Sequence, residues 1–132
     1  MVREPIVPGE VGPWARRVKE ALAALHDALH GAARARVAVL QQVLRADPEL
    51  AHRVEDLERR QQRLLEEHER LTGGVEELIR KARDATGSNE PGGPAGAMRD
   101  RLLDWLGRRK DLGREAQLWL IEAYYRDRGA VD

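Results

Sequence analysis

Apolar residues recur along this chain every three to four positions and nowhere alternate with period two, a pattern that predicts helices and no sheet. Trp14, Val18, Ala21, Leu22, Leu25 and Leu29 mark one face of a first helical segment, running from about residue 14 to 46. Gly31 lowers helix propensity within it, and Arg36 falls on the extrapolated stripe. The stripe then drifts to Val37, Leu40, Val43 and Leu44. The segment is therefore one long helix, or two pieces kinked near Gly31. Asp47-Pro48 ends it, because Pro48 disfavours helical geometry at Asp47. The same pair starts the next segment, with Asp as cap and Pro in the first turn.

The second segment, from Pro48 to about Ala85, carries the clearest periodicity. Leu50, Leu57, Leu64, Leu71 and Leu78 are spaced by seven, accompanied by Val54, Gln61, His68, Val75 and Ala82. Such heptads predict coiled-coil-like packing, inside the chain or against a second copy. Thr72-Gly73-Gly74 predicts a kink. Residues 86–96 are rich in Gly and Pro and poor in apolar groups, and predict a flexible loop. A third helix is expected from about Ala97 to Arg128, closed by Gly129. Its seam is Met98, Leu102, Trp105, Arg109, Leu112, Ala116, Trp119 and Ala123, and its middle is thin in apolar residues at Arg109, Lys110, Gly113 and Gln117. Residues 1–12, with Pro5, Pro8, Gly9 and Gly12, predict an extended arm before a single domain over 13–129. The expected fold is all-α: an antiparallel bundle of three long helices, or four if the first breaks near Gly31.

Charge sharpens this picture. The 132 residues include 23 Lys and Arg against 23 Asp and Glu, a net charge of zero, which argues against a main role in gripping nucleic acid or an anionic membrane. Much of that charge falls at i,i+4 on the outer faces, as in Glu55–Arg59, Asp56–Arg60, Glu66–Arg70, Glu76–Arg80 and Glu77–Lys81. The segment 98–114 has a mild basic excess, but Asp104 precedes and Asp111 follows Arg108-Arg109-Lys110, and a solvated face is expected. The cations are 20 Arg and 3 Lys beside abundant Ala, a bias of GC-rich coding, as in a high-GC bacterium. There is no Cys, which excludes disulfides, thiolate metal sites and cysteine nucleophiles. No secretory leader is evident, and no apolar run approaches the ~20 residues of a membrane span, so a cytoplasmic protein without a membrane partner is expected.

Candidate chemistry rests on the histidines. If the first two helices fold back at Asp47, positions whose numbers add to about 94 stand level, which sets His26 opposite His68 with His30 one turn from His26. Three imidazoles at one level, with Asp27, Glu67 or Glu69 nearby, suit a transition metal such as iron or zinc. The commoner role of a seam histidine is to fix register, as one polar seam residue often does. His52 and Asp56 lie near the corner and read as an exposed ion pair. Thr72, Thr86 and Ser88 offer no credible nucleophile for a Ser–His–Asp arrangement, and no Gly-rich phosphate loop follows a strand.

Two stretches carry a family likeness. Asp47-Pro48-Glu49-Leu50-Ala51-His52-Arg53-Val54 leads into Leu64-Leu65-Glu66-Glu67-His68-Glu69-Arg70-Leu71, and the chain closes with Ile121-Glu122-Ala123-Tyr124-Tyr125-Arg126-Asp127-Arg128-Gly129. Over about residues 20–129 the chain resembles a hemerythrin-like (HHE-type) helical-bundle domain. That resemblance implies a di-iron centre of about five histidines and two carboxylates. His26 or His30 matches the first-helix ligand and His68 the third. His52…Asp56, the only His-x-x-x-acid pair, sits too near the corner. No histidine follows His68, and apolar Leu112 lies near where the last ligands would fall. The resemblance therefore implies a centre lost or reduced to a single metal.

The expected protein is non-enzymatic. It acts by protein–protein interaction or self-association along the seam of Leu50, Leu57, Leu64, Leu71 and Leu78. No cofactor is expected and nucleic acid is not an expected partner. The alternative is a metal- or oxygen-binding protein using His26, His30 and His68.

Overall fold

The computed structural model describes residue 6, residues 10–84 and residues 93–131, with side chains described except at 84 and 123–131. The described residues form three long α-helices and one short turn of 3-10 helix, with no strand among them. They are α1 (Val11–Ala46), the 3-10 turn Pro48–Leu50, α2 (Ala51–Asp84) and α3 (Pro94–Val131). The architecture is an all-α bundle, as the periodicity requires. None of these helices is long and apolar enough to cross a membrane.

Helix α1 is unbroken, so the two-piece alternative at Gly31 is not realised. A lone glycine costs about 1 kcal/mol relative to alanine in a helix, too little to break one held by packing on both sides of it. The helix also begins earlier than the pattern suggests. Glu10 stands before the first turn, and its carbonyl accepts from Trp14 N at 3.0 Å. Val11 and Gly12 therefore belong to α1, not to an arm. Pro13 falls among the first four residues, whose N–H groups have no partner within a helix, so its missing donor costs nothing there. Of the remaining arm, Ile6 is half-buried against the core and Glu10 is exposed; residues 1–5 and 7–9 lie outside the described residues.

At the corner, Asp47 N donates to Val43 O at 2.9 Å while the Asp47 carboxylate accepts from Glu49 N at 3.2 Å, closing one helix and capping the next. Helix α2 runs through Thr72-Gly73-Gly74 without a break. At Gly74 a Cβ would meet the Met98 Cε of α3, the flexible end of that side chain, which can turn aside. Gly73 faces open space. Helix α3 starts at Pro94 instead of Ala97, with Ala97 N donating to Gly93 O at 3.1 Å, so residues 94–96 leave the expected loop and 85–92 lie outside the described residues. It also passes Gly129 and continues to Val131. Glycine ends a helix only by taking a left-handed turn, and it can equally hold helical geometry.

Helix α2 is central, with its backbone against both α1 and α3, whose own backbones stand further apart. The core divides in two. One cluster joins Trp14, Val18 and Leu22 with Leu71, Val75 and Leu78 and with Met98, Leu102 and Trp105. The other joins Leu40, Leu50, Val54 and Leu57 with Leu112, Ala116 and Trp119. Leu64 is half-buried between them and touches both. Within the first cluster the Trp14 indole nitrogen is buried without a hydrogen-bond partner, a cost of ~1–3 kcal/mol that the burial of the ring offsets.

The surface charges do more than pair along each helix. Arg53, Arg60 and Glu67, seven residues apart on α2, reach across to Glu122 (3.5 Å), Glu115 (2.6 Å) and Arg101 (3.2 Å) on α3. This ladder runs in opposite directions along the two helices and so reports their antiparallel register. Its bond to Arg60 holds the Glu115 carboxyl below the ordinary carboxylate range, and the same bond raises Arg60.

Two expectations follow. Gly73→Ala and Gly31→Ala should each stabilise the fold by roughly 0.5–1 kcal/mol in urea denaturation. Gly74→Ala should gain less than Gly73→Ala, by no more than about 1 kcal/mol, because the flexible end of Met98 has only to turn aside; a net loss of stability at 74 would show Met98 held fast. Second, Glu115 has a depressed folded pKa, so its contribution is present above its unfolded pKa and is lost as pH falls through the folded one. The stability gap between the native chain and Glu115→Gln, no more than ~1 kcal/mol for so exposed a pair, should be open at neutral pH and close in acid.

Candidate functional site

The three histidines meet at one level, brought there by the corner at Asp47. The rings of His26 and His30 lie 4.5 Å apart, that of His68 lies 6.1 Å from His26, and Trp105 of α3 follows at 5.7 Å from His68. Their environments differ sharply. His26 is exposed, with Nδ1 at 3.1 Å from Asp27 Oδ1. His30 is half-buried. His68 is only 4% exposed, and its Nε2 sits 2.9 Å from the Leu22 carbonyl oxygen. A carbonyl can only accept, so Nε2 carries the hydrogen and donates it to α1. That nitrogen is spent on holding two helices together. Among the described residues no group of three or more His, Cys, Asp or Glu side chains is placed to hold a metal ion. His52 and Asp56 are both exposed near the corner and stand apart from this cluster.

The leucine seam is spent as well. Leu50, Leu57, Leu71 and Leu78 are buried within the chain and Leu64 is half-buried between the two core clusters. A surface offered to a partner has to be sought elsewhere.

It lies where the seam is broken by polar residues. Gln61, 8% exposed, donates from Nε2 to the Ala33 carbonyl of α1 at 3.4 Å, and its Oε1 accepts from Arg36 Nη1 at 3.0 Å. Arg36 is half-buried, and burial pushes its guanidinium below its ordinary pKa. Gln61 and Arg36, with Arg109 of α3 beside them, line one groove at the boundary between the two core clusters.

That groove opens between α1 and α3, with α2 as its floor, and has a volume of about 870 Å³. Leu25, Leu29, Leu65, Leu103 and Leu106 supply its apolar surface. Ala28 and Ala32 on one wall and Gly107 and Gly113 on the other keep the walls low, and a Cβ at either glycine would meet nothing within 4 Å. A second concavity of about 720 Å³ shares Arg36, Gly113 and Gln117 with the first and extends it past Val39 and Ile121. Those two side chains are 41% and 46% exposed. From Leu25 to Val39 the joined groove follows α1 for about 20 Å at 1.5 Å per residue.

The thin middle of the α3 stripe and the arginine on the α1 stripe were the traces of this groove in the sequence. They read as weak points of two helices, because whether two thin stretches face each other depends on which way α3 turns around α2. The cross-helix ladder from Arg53, Arg60 and Glu67 was hidden for the same reason, since pairing along one helix and pairing between helices use the same residues. No family model, no curated protein and no solved structure matches the chain.

The polar layer can be tested directly. Gln61→Leu removes the acceptor of a half-buried cation and should destabilise the fold by about 1–2 kcal/mol. Adding Arg36→Leu should recover most of that loss, giving a coupling of ~1 kcal/mol in a double-mutant cycle read by urea unfolding. Strictly additive effects would show that the two side chains do not act together.

Proposed function

We propose that this protein is a non-enzymatic binding module whose α1/α3 groove receives an amphipathic helix from another protein. The observation that carries the proposal is the groove itself: an apolar trough about 20 Å long left open between two helices of a bundle whose leucine seam is already closed. An amphipathic helix lays i, i+3, i+4 and i+7 side chains into such a trough, and four turns match this length. The low walls at Ala28, Ala32, Gly107 and Gly113 let an incoming backbone approach closely.

Hemerythrin-like descent belongs to the proposal only through the two stretches of sequence likeness, and the docking role does not depend on it. The docking role calls on no metal, and the buried histidine serves it by donating from Nε2 to α1.

The test uses a fluorescein-labelled amphipathic peptide of about five turns with leucines on one face and glutamines on the other. Binding in anisotropy titrations is expected for the native chain. Ala32→Trp places a bulky ring in the groove from an exposed position and should weaken that binding at least tenfold while circular dichroism stays unchanged. Absence of binding, or binding indifferent to Ala32→Trp, would overturn the proposal.

A further inference from the structure

The groove has a charge asymmetry that narrows its occupant. Four cations line it, Arg36 from α1 and Arg109, Lys110 and Arg114 from α3, and no carboxylate does. Its extension past Val39 and Ile121 adds none. A chain with 23 cations and 23 anions would on average mix the two signs along such a surface, and elsewhere it does: Arg53, Arg60, Arg70, Arg80, Arg101 and Arg108 each meet a carboxylate. Among the described residues, Arg36, Arg109, Lys110 and Arg114 form no ion pair, and the hydrogen bond Arg36 makes is to the neutral amide of Gln61.

We infer that the helix received by this groove is acidic, with an apolar face seated on Leu25, Leu29, Leu65, Leu103 and Leu106 and Asp or Glu side chains flanking that face. The inference rests on the docking role proposed above and adds the partner's chemistry. Arg36 is central to it. Folding has already stripped part of the water from this guanidinium, so an arriving carboxylate gains a charge-assisted bond without having to desolvate a fully hydrated cation. Arg109 and Lys110 are exposed on the opposite wall and supply long-range attraction and selection of sign.

The same charges argue against the other occupants. Two copies meeting groove to groove about a two-fold axis would bring the two rows of cations together, and like charges repel strongly in a desolvated contact. A nucleic-acid backbone would satisfy the cations but would cover five leucines with phosphates, which apolar surface cannot solvate. An acidic amphipathic helix satisfies the leucines and the cations at once.

Three peptides sharing one leucine face, with the flanking positions all Glu, all Gln or all Lys, distinguish the outcomes. The Glu peptide should bind the native chain at least tenfold more tightly than the Gln peptide at low salt, and the Lys peptide more weakly than either. The Glu–Gln gap should narrow as salt rises. The doubly substituted Arg109→Glu, Lys110→Glu chain, altered only at exposed sites, leaves two cations and two anions along the groove and should bring the Glu and Lys peptides to nearly equal affinity. Equal affinities for Glu and Gln peptides, both lost in Ala32→Trp, would overturn the acidic partner and leave the groove reading intact. No binding by any peptide would overturn both. A dimer in sedimentation that Ala32→Trp dissolves would assign the groove to a second copy and likewise overturn the inference.

Discussion

Three side chains reach across helix boundaries to main-chain carbonyls, and the rest of the bundle is arranged around them. Gln61 Nε2 donates to Ala33 O, His68 Nε2 to Leu22 O at 2.9 Å, and Trp105 Nε1 to Leu64 O at 3.0 Å. A leucine seam alone tolerates a slide of one heptad, since leucine meets leucine again seven residues on. A buried donor does not tolerate it, because losing its acceptor without water costs ~1–3 kcal/mol. Gln61 and His68 lock α2 to α1, and Trp105 locks α3 to α2. The histidine that looks most like a metal ligand thus has a structural task that accounts for its burial.

Locked register has a consequence in the middle of the molecule. It places Gln61 and Arg36 between two apolar clusters and keeps them from merging. The neutral amide of Gln61 is too little to bury the Arg36 guanidinium fully without a carboxylate, so the wall near Arg36 stays open to solvent. On the α3 side Lys110, Gly113 and Gln117 offer no apolar bulk to close the gap. The groove is therefore built into the packing, not left over from it. The interactions that fix the bundle's register are the ones that prevent its third edge from closing, and stability and a binding surface share a cause.

The charged surface divides in the same way. Between α2 and α3 the charges are used, with Arg53, Arg60 and Glu67 in a heptad ladder of opposite signs. Between α1 and α3 they are segregated to one sign. Zero net charge is the sum of these two different distributions, and neither is visible in the total.

Much of this architecture was legible in the chain alone. The 3.6-residue stripes, the Asp47-Pro48 corner and the heptad leucines specify three helices and the fold-back of the first two, because each depends on local geometry or on neighbours along one helix face. The level of His26 and His68 follows from the same arithmetic. Other features depend on rotation and neighbours that no single helix encodes. The pattern leaves a kink open at Gly31 and reads Gly129 as an end, yet a glycine can hold helical geometry and α1 and α3 run on through both. Gly74 packs against the side chain of Met98, 24 positions away. The amino-acid order determined which residues are apolar, where the chain turns and which polar groups interrupt each stripe. Only the tertiary structure decided that the leucine seam closes within the chain and that α1 and α3 stand apart with their interruptions lining one groove. The physical reason is that a helix's pattern fixes its own buried face, whereas the angle at which a third helix settles depends on the side chains it meets on its neighbours.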